Sequence, residues 1–168
     1  MPLHRVISGG QTGVDQAALW AAKSLDLATG GWAPRGYLTE DGPNPALLQS
    51  FGLVEHESPL YSPRRRANIR DADATLILAH HKIGPGTKRT IDEALASGKP
   101  WKLAIAGEGD VTPRDVAEWI AEHGIGTLNV AGPRASSAPG FEEKAERFLV
   151  AVLRLAGSEP SRQSPLTT

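Results

Sequence analysis

The amino-acid sequence predicts an α/β fold, in which a mostly parallel sheet carries helices on both faces. Short apolar runs rich in β-formers alternate along the chain with segments of helical periodicity. Two of these runs, residues 3–7 and 74–79, lead directly into glycine-rich turns and then into helices. Parallel strands need crossover connections, and right-handed crossovers place helices outside the sheet. The predicted architecture is therefore three-layered and Rossmann-like.

Composition limits the classes of protein to consider. A length of 168 residues with 40% hydrophobic content suits one domain, predicted over residues 1–157, followed by a disordered tail at 158–168. Eighteen basic and nineteen acidic residues give a net charge of -1, so no overall field attracts nucleic acid or an anionic membrane. The absence of cysteine and of a long apolar span fits a cytoplasmic protein.

The first half of the chain begins with a strand over residues 3–7 and a helix from Thr12 to about Leu25. Small apolar residues recur there at helical spacing, and Thr12, with Asp15 three residues on, is a competent N-cap. Residues 28–50 are rich in glycine and proline, which predicts a brief strand and then a long ordered loop.

The second half contains the clearest alternation of strands and helices. Strands are predicted at 53–57, 74–79, 101–106 and 128–131, and helices at 63–72, 88–97, 113–123 and 141–155. The helix over 88–97 is ended by Gly98 and followed by Pro100. Its preceding turn repeats the pattern at the start of the chain.

The two glycine turns predict an anion site. Gly9, Gly10 and Gly13 allow close backbone approach, while Gln11 and Thr12 add side-chain donors beside a helix N-terminus. Ligands of such folds lie at the carboxyl ends of the strands, where both turns belong. The sequence therefore predicts that they face one ligand. The alternative is that tight strand-to-helix turns need glycine for backbone reasons alone.

Named catalytic and nucleotide motifs are missing. Gly13 is followed by Val14 and Asp15 instead of the lysine of a P-loop, and Ser8 occupies the first glycine position of a dinucleotide fingerprint. The adjacent His80 and His81 point to opposite sides in extended chain, so no metal site is predicted. There is no Ser-His-Asp order and no nucleophile elbow.

Several sequence blocks together resemble one known family. They are ISGGQTGVDQAAL, GGWAPRG, TEDGP, the run RxxxNIRDADATLI over 64–77, GPGTxxT over 84–90 and GKPW over 98–101. The chain resembles the molybdenum carrier family, a circularly permuted branch of the SLOG superfamily that contains LOG-type phosphoribohydrolases and DprA proteins. The resemblance implies a Rossmann-like fold, a phosphorylated ligand such as a nucleotide derivative or the pterin-based molybdenum cofactor, and a possible dimer or tetramer.

The resemblance also implies site residues. The first glycine block supplies Gly9, Gly10, Gln11, Thr12, Gly13 and Asp15, and the second supplies Gly84, Gly86 and Thr87. LOG-type hydrolases read GGxGTxxE, with the glutamate part of the catalytic apparatus, and this chain has Thr90 at that place. That departure favours binding over hydrolysis.

Physical reasoning adds three more candidate ligand-binding residues. Arg64 and Asn68 share a polar face of the helix predicted over 63–72, and an arginine fork suits phosphate or molybdate. Arg35 lies in the glycine- and proline-rich segment, which could fold over the ligand.

Two functions follow as hypotheses. In the first, the chain binds a phosphorylated small molecule without turning it over. In the second, it cleaves an N-glycosidic bond in a nucleotide, with Asp15, Glu40 or Glu93 as acid or nucleophile.

Overall fold

A six-stranded parallel sheet forms the centre of the molecule. The structure is a computed structural model that describes residues 2–106, 109 and 111–157. The sheet strands are β1 (Arg5–Ile7), β2 (Ala28–Ala33), β5 (Leu53–Glu55), β6 (Ala74–Ala79), β7 (Trp101–Ile105) and β8 (Thr127–Ala131), in the spatial order β5-β2-β1-β8-β6-β7. A separate antiparallel pair joins β3 (Leu38–Thr39) and β4 (Gly42–Pro43).

Within the described residues, six α-helices accompany the sheet: α1 (Val14–Ser24), α2 (Pro45–Ser50), α3 (Tyr61–Asp71), α4 (Pro85–Ser97), α5 (Pro113–Glu122) and α6 (Phe141–Gly157). Alternation along β6 separates them into layers, because successive side chains of a strand point to opposite faces. Leu76 and Leu78 join the large core with α1, α5 and α6, whereas Ile77 packs with Ile69 of α3 and Ala94 of α4. The predicted three-layer α/β fold is confirmed.

The strand order creates a crevice at the carboxyl edge of the sheet. From β1 the chain moves outward to β2 and β5, and it then crosses to β6 on the far side of β8. The helices that follow β1 and β6 therefore leave toward opposite faces, with the end of β8 between them. In open parallel sheets a ligand binds where the chain direction diverges in this way.

The brief strand predicted at the start of residues 28–50 is present as β2, but the long loop predicted after it is wrong, because the β3–β4 pair and α2 lie there. Gly31, at φ 128°, approaches the backbone of Ser8 so closely that a Cβ would lie 2.1 Å from its carbonyl oxygen. Glycine thus permits β2 to pair with β1 where a side chain would separate them. Asn44 caps α2 by accepting from the Leu47 N–H, with Pro45 at the first helical position.

Helix starts also differ from the predictions. Thr12 is not the N-cap of α1, because Gly13 occupies that position and no side chain caps the helix. Helix α3 begins at Tyr61, two residues before the predicted start, and α4 begins at Pro85 instead of residue 88. Gly86 and Thr87 therefore belong to the first turn of α4, and only Gly84 precedes the helix.

Two sequence predictions concern the limits of the chain. The disordered tail predicted at 158–168 lies outside the described residues, and the single domain over 1–157 stays a prediction. Among the helices that the structure describes, none combines the length and apolar character needed to cross a bilayer.

Candidate functional site

A cavity of about 500 Å³ opens at the carboxyl edge of the sheet, above the end of β8. Its walls come from the start of α1, the first turns of α3, the β6–α4 connection with the first turns of α4, and the chain after β8. The lining residues are Gln11, Asp15, Tyr61, Arg64, Arg65, His80, His81, Lys82, Gly84, Pro85, Gly86, Thr87, Arg89, Thr90, Ala131, Gly132, Pro133, Arg134, Ser137 and Ala138. Its volume falls within the range of about 300–1,000 Å³ that is usual for small-molecule sites.

The cavity wall carries a strong excess of positive charge. Its side chains include five lysines and arginines and a single carboxylate, that of Asp15. The chain as a whole has a net charge of -1, so this excess is local. Low-dielectric walls of one sign concentrate ligands of the opposite sign. The cavity therefore favours an anion.

Helix α4 directs unused donors into the cavity. Gly84 is its N-cap and offers no side-chain acceptor, Pro85 has no N–H, and the N–H groups of Gly86 and Thr87 precede the intrahelical hydrogen bonds. The Thr87 side chain is buried, and its hydroxyl has no hydrogen-bond partner among the described residues. Two amides and a hydroxyl at a positive helix end form a site for an oxyanion.

Glycine at 84 and 86 is not explained by crowding. Neither residue has a positive φ, and a Cβ at either position would meet no atom within 4 Å. Thr90, one turn further along α4, donates its hydroxyl to the Gly86 carbonyl at 3.2 Å. The open space beside these glycines therefore leaves the first turn accessible from the cavity.

Arg64 and Asp15 form a buried pair in the cavity wall. An Arg64 Nη1 lies 3.5 Å from an Asp15 carboxylate oxygen, and the Nε of Arg64 is buried without a hydrogen-bond partner in the described part of the chain. Burial raises the pKa of Asp15 and lowers the pKa of Arg64, while their mutual attraction opposes both shifts. Most of the guanidinium's hydrogen-bonding capacity is thus unused.

The first glycine turn differs from the predicted anion site because three of its backbone amides already have acceptors within the protein. The Gln11 N–H donates to Asp15 at 3.2 Å, the Thr12 N–H to the Gln11 side chain at 3.1 Å, and the Gly10 N–H to the Ser8 hydroxyl at 3.3 Å. Of this turn, the side chains of Gln11 and Asp15 line the cavity.

The glycines of this turn accommodate neighbouring protein atoms. A Cβ on Gly9 would lie 1.8 Å from an Arg64 nitrogen, and a Cβ on Gly13, at φ 82°, would lie 2.5 Å from the Pro133 carbonyl oxygen. Gly10, at φ 77°, presses against Leu48 and Leu53. Glycine here allows α3 and the chain after β8 to approach the turn.

Glu40 connects the first glycine turn to the chain after β8. Its carboxylate accepts from the Thr12 hydroxyl at 2.5 Å, from the Ser136 N–H at 3.1 Å and from the Ser136 hydroxyl, and it lies 3.7 Å from Arg134. Hydrogen bonds from Ser136 and Thr12 lower the pKa of Glu40. The hydroxyl of Thr12 also accepts from the Ala135 N–H at 3.2 Å. Thr12 and Glu40 therefore fix one wall of the cavity.

Two candidate residues lie outside the cavity wall. Asn68 is buried, and its amide accepts from the Trp32 N–H at 2.8 Å and donates to the Trp32 carbonyl at 3.0 Å, as a neighbouring strand would. Arg35 is exposed in the turn after β2, where its N–H donates to Ser58. The structure thus gives Asn68 a structural role and separates Arg35 from the cavity.

The third carboxylate proposed for hydrolysis is held between helices. Glu93 of α4 accepts from the Ser62 hydroxyl at 2.7 Å and from Arg65 at 3.0 Å, and Arg66 lies 3.8 Å away. These contacts join α3 to α4, and Glu93 does not line the cavity.

Sequence reasoning missed several residues of the cavity: Tyr61, Lys82, Arg89 and, in the chain after β8, residues 131–134, 137 and 138. A signal existed for the last of these, because Gly132 and Pro133 follow a predicted strand at the same sheet edge. Among the described residues, no group of three or more His, Asp or Glu side chains lies close enough to hold a metal ion.

Comparison with known proteins identifies the family. A model of the circularly permutated YpsA SLOG family matches residues 6–153. The chain belongs to this family. The SLOG membership inferred from the sequence blocks is thereby confirmed.

One solved structure is similar to the chain over most of its length. A crystal structure from Syntrophus aciditrophicus SB, described as "Putative molybdenum carrier protein", shares 34% identity with the chain at a TM-score of 0.80. The match covers 90% of this chain and 96% of that one. A search among curated proteins finds no significant match.

Proposed function

We propose that this SLOG protein binds a phosphorylated small molecule, with its anionic group at the first turn of α4 beside Arg64. The ligand class comprises nucleotide derivatives and the molybdenum cofactor, and molybdate presents a free oxyanion to the same donors. The name of the similar structure, a molybdenum carrier, supports a small-molecule ligand. The proposal needs backbone amides only from the first turn of α4, since the Gly10, Gln11 and Thr12 amides of the other glycine turn are engaged.

The observation that carries the proposal is the unused hydrogen-bonding capacity of Arg64. Arg64 as a residue is only 7% exposed, yet the described hydrogen bond from its guanidinium to Asp15 is long, at 3.5 Å. A buried charge with so few partners is costly to fold. An incoming anion would supply the missing acceptors and the balancing charge, and it would meet the free amides of Gly86 and Thr87 in the same cavity.

The carboxylates favour binding over glycosidic cleavage. Glu40 is engaged by Thr12 and Ser136, and Glu93 by Arg65 and Ser62. Asp15 lines the cavity, but its carboxylate accepts from the Gln11 amide and faces Arg64. Thr90 occupies the place of the LOG-type glutamate and cannot act as a carboxylic acid.

The test is titration calorimetry with AMP, GMP, a pterin monophosphate, inorganic phosphate and molybdate, combined with chromatography for released base. We expect saturable binding of at least one phosphate ester without release of its ring. Native mass spectrometry of the purified protein would report a copurified ligand. Free base would support the hydrolase instead, and the absence of binding by every probe would overturn the proposal.

A matched pair of variants localises the site. Arg64→Met removes the buried guanidinium, whereas Arg66→Met removes a 61% exposed one from the same helix. Hydrogen bonds to charged groups contribute about 1.5–3 kcal/mol, so Arg64→Met should weaken binding by roughly 10- to 100-fold. Arg66→Met should stay close to the native affinity. Equal effects of the two substitutions would contradict the proposed position.

A further inference from the structure

Ring-bearing side chains occupy the cavity wall next to the anion donors. Tyr61, at the start of α3, is half-buried and lines the cavity, as do His80 and His81 at the end of β6. The three rings come from two different segments, which the fold brings to the same space. None of them has a part in the anion site described above.

Neighbouring side chains hold two of these rings in position. The ring of Tyr61 lies 5.5 Å from the Arg64 guanidinium carbon, in a cation–π contact. The ring of His80 lies 3.9 Å from that of His81 and 4.8 Å from that of Phe141, which is buried in the main core. Rings positioned in this way lose little conformational entropy when they contact a ligand.

A cavity of about 500 Å³ is large for an inorganic anion alone. Phosphate or molybdate offers charge and acceptors, which the amides of α4 and the guanidinium of Arg64 satisfy. Such an anion offers no flat surface to Tyr61 or His80. A planar heteroaromatic ring does, because stacking on aromatic side chains is favourable for every nucleobase and for similar ring systems.

We infer that Tyr61 and the His80–His81 pair bind the flat heteroaromatic ring of a phosphate ester whose anionic group lies at α4. The inference rests on the proposed function and deepens it, since it assigns the ring-binding residues of the cavity and predicts that the ring adds affinity to that of the phosphate. Purine nucleotides and phosphorylated pterins share the required chemistry.

The experiment compares ligands with and without the ring on the native protein. Ribose 5-phosphate and inorganic phosphate are the ringless probes, and AMP, GMP and a pterin monophosphate are the ring-bearing ones. Stacking corresponds to roughly 5- to 100-fold in affinity per ring, so at least one ring-bearing ester should bind tighter than ribose 5-phosphate by that factor. The tightest of the three identifies the ring system.

Substitutions of Tyr61 and His80 test whether these residues cause the higher affinity for ring-bearing esters. Tyr61→Leu should lower the affinity for the ring-bearing ester by about 5- to 50-fold, whereas Tyr61→Phe, which keeps the ring, should retain it. His80→Leu should act in the same direction. Affinity for ribose 5-phosphate should change less than about twofold in all three variants, which also verifies that Arg64 remains in place.

The outcomes distinguish the inference about the ring from the proposed function, which is the binding of a phosphorylated ligand. Equal binding of AMP, GMP, the pterin ester and ribose 5-phosphate would overturn the inference and leave the anion site standing. A ring preference that survives both Tyr61→Leu and His80→Leu would overturn the assignment to these residues. Failure of every phosphate probe to bind would overturn both.

Discussion

Gly9 provides a sharp test of the cavity wall, because its substitution acts on Arg64 without touching that residue's own chemistry. An alanine Cβ at position 9 would lie 1.8 Å from an Arg64 Nη1, 2.4 Å from its Cζ and 2.8 Å from its Nε. Ordinary contacts begin near 3.4 Å, so the guanidinium must move by about 1.5 Å or more. Gly9 has no positive φ, so alanine adds no backbone strain of the left-handed kind.

The expected losses concern both stability and affinity. Overpacking of this kind lowers the free energy of unfolding by about 1–3 kcal/mol. Displacing the guanidinium also removes a charge-assisted hydrogen bond to the ligand, which corresponds to about 1.5–3 kcal/mol or roughly 10- to 100-fold in Kd. Urea unfolding measures the first quantity and calorimetry with AMP the second.

A double-mutant cycle separates the clash from other effects. In an Arg64→Ala background, Gly9→Ala meets no guanidinium, so its additional cost to unfolding should approach zero. The double variant should still bind AMP weakly, because the arginine is gone. Gly157→Ala, at the end of α6 and outside the cavity wall, is the control, since its Cβ meets no atom within 4 Å and neither stability nor affinity should fall. Native stability and native affinity in Gly9→Ala would refute the placement of Arg64 over this glycine.

Three further predictions follow from other contacts. Asn68→Ala should lower the free energy of unfolding by about 2–4 kcal/mol, because it leaves the N–H and carbonyl of Trp32 without their partner. The affinity for AMP, measured in the same preparation, should stay at the native value. Gly86→Ala should raise the thermal midpoint of unfolding, since alanine favours helix over glycine by about 0.5–1 kcal/mol. The added methyl at the cavity wall should weaken AMP binding, measured by calorimetry, by roughly tenfold. Unchanged affinity would contradict contact between the ligand and this turn. The pKa of Glu40 is lowered, chiefly by the hydrogen bond from the Ser136 side chain. The ionised carboxylate therefore stabilises the fold above the ordinary glutamate pKa of about 4.3, and this stabilisation is lost as the pH falls below that value. Urea midpoints measured between about pH 3 and pH 7 should fall less steeply on acidification in Glu40→Gln than in the native protein, and parallel curves would count against the hydrogen bonds assigned to this carboxylate.

The fold was predictable wherever apolar periodicity decides structure. The run ATLILA over 74–79 is wholly buried as β6, and Gly98, in the left-handed conformation, ends α4 as expected. Of the segment 28–50 only the brief strand β2 was predicted, because the glycines and prolines there conceal the β3–β4 pair and α2. The contacts that fix β2 are also distant along the chain. Residue Asn68, far along the chain, binds the backbone of β2, and glycine at position 31 is required by contact with Ser8.

The site was predictable by type and less so by position. Two strand-to-helix turns indicated the edge of the sheet where the cavity opens, and Arg64, Thr87 and Asp15 all line the cavity there. Spacing alone could not reveal that the first turn's amides would be taken by its own side chains, because Gln11 and Asp15 fold back onto it. Nor could it reveal that Glu40 would join two loops, since that contact spans 96 residues to Ser136.

The most direct measurement is a crystal structure of the protein grown with AMP. The account predicts the phosphate within hydrogen-bond distance of the Thr87 amide and of the Arg64 guanidinium, inside the cavity above β8. A phosphate bound at the first glycine turn, or anywhere outside this cavity, would contradict it.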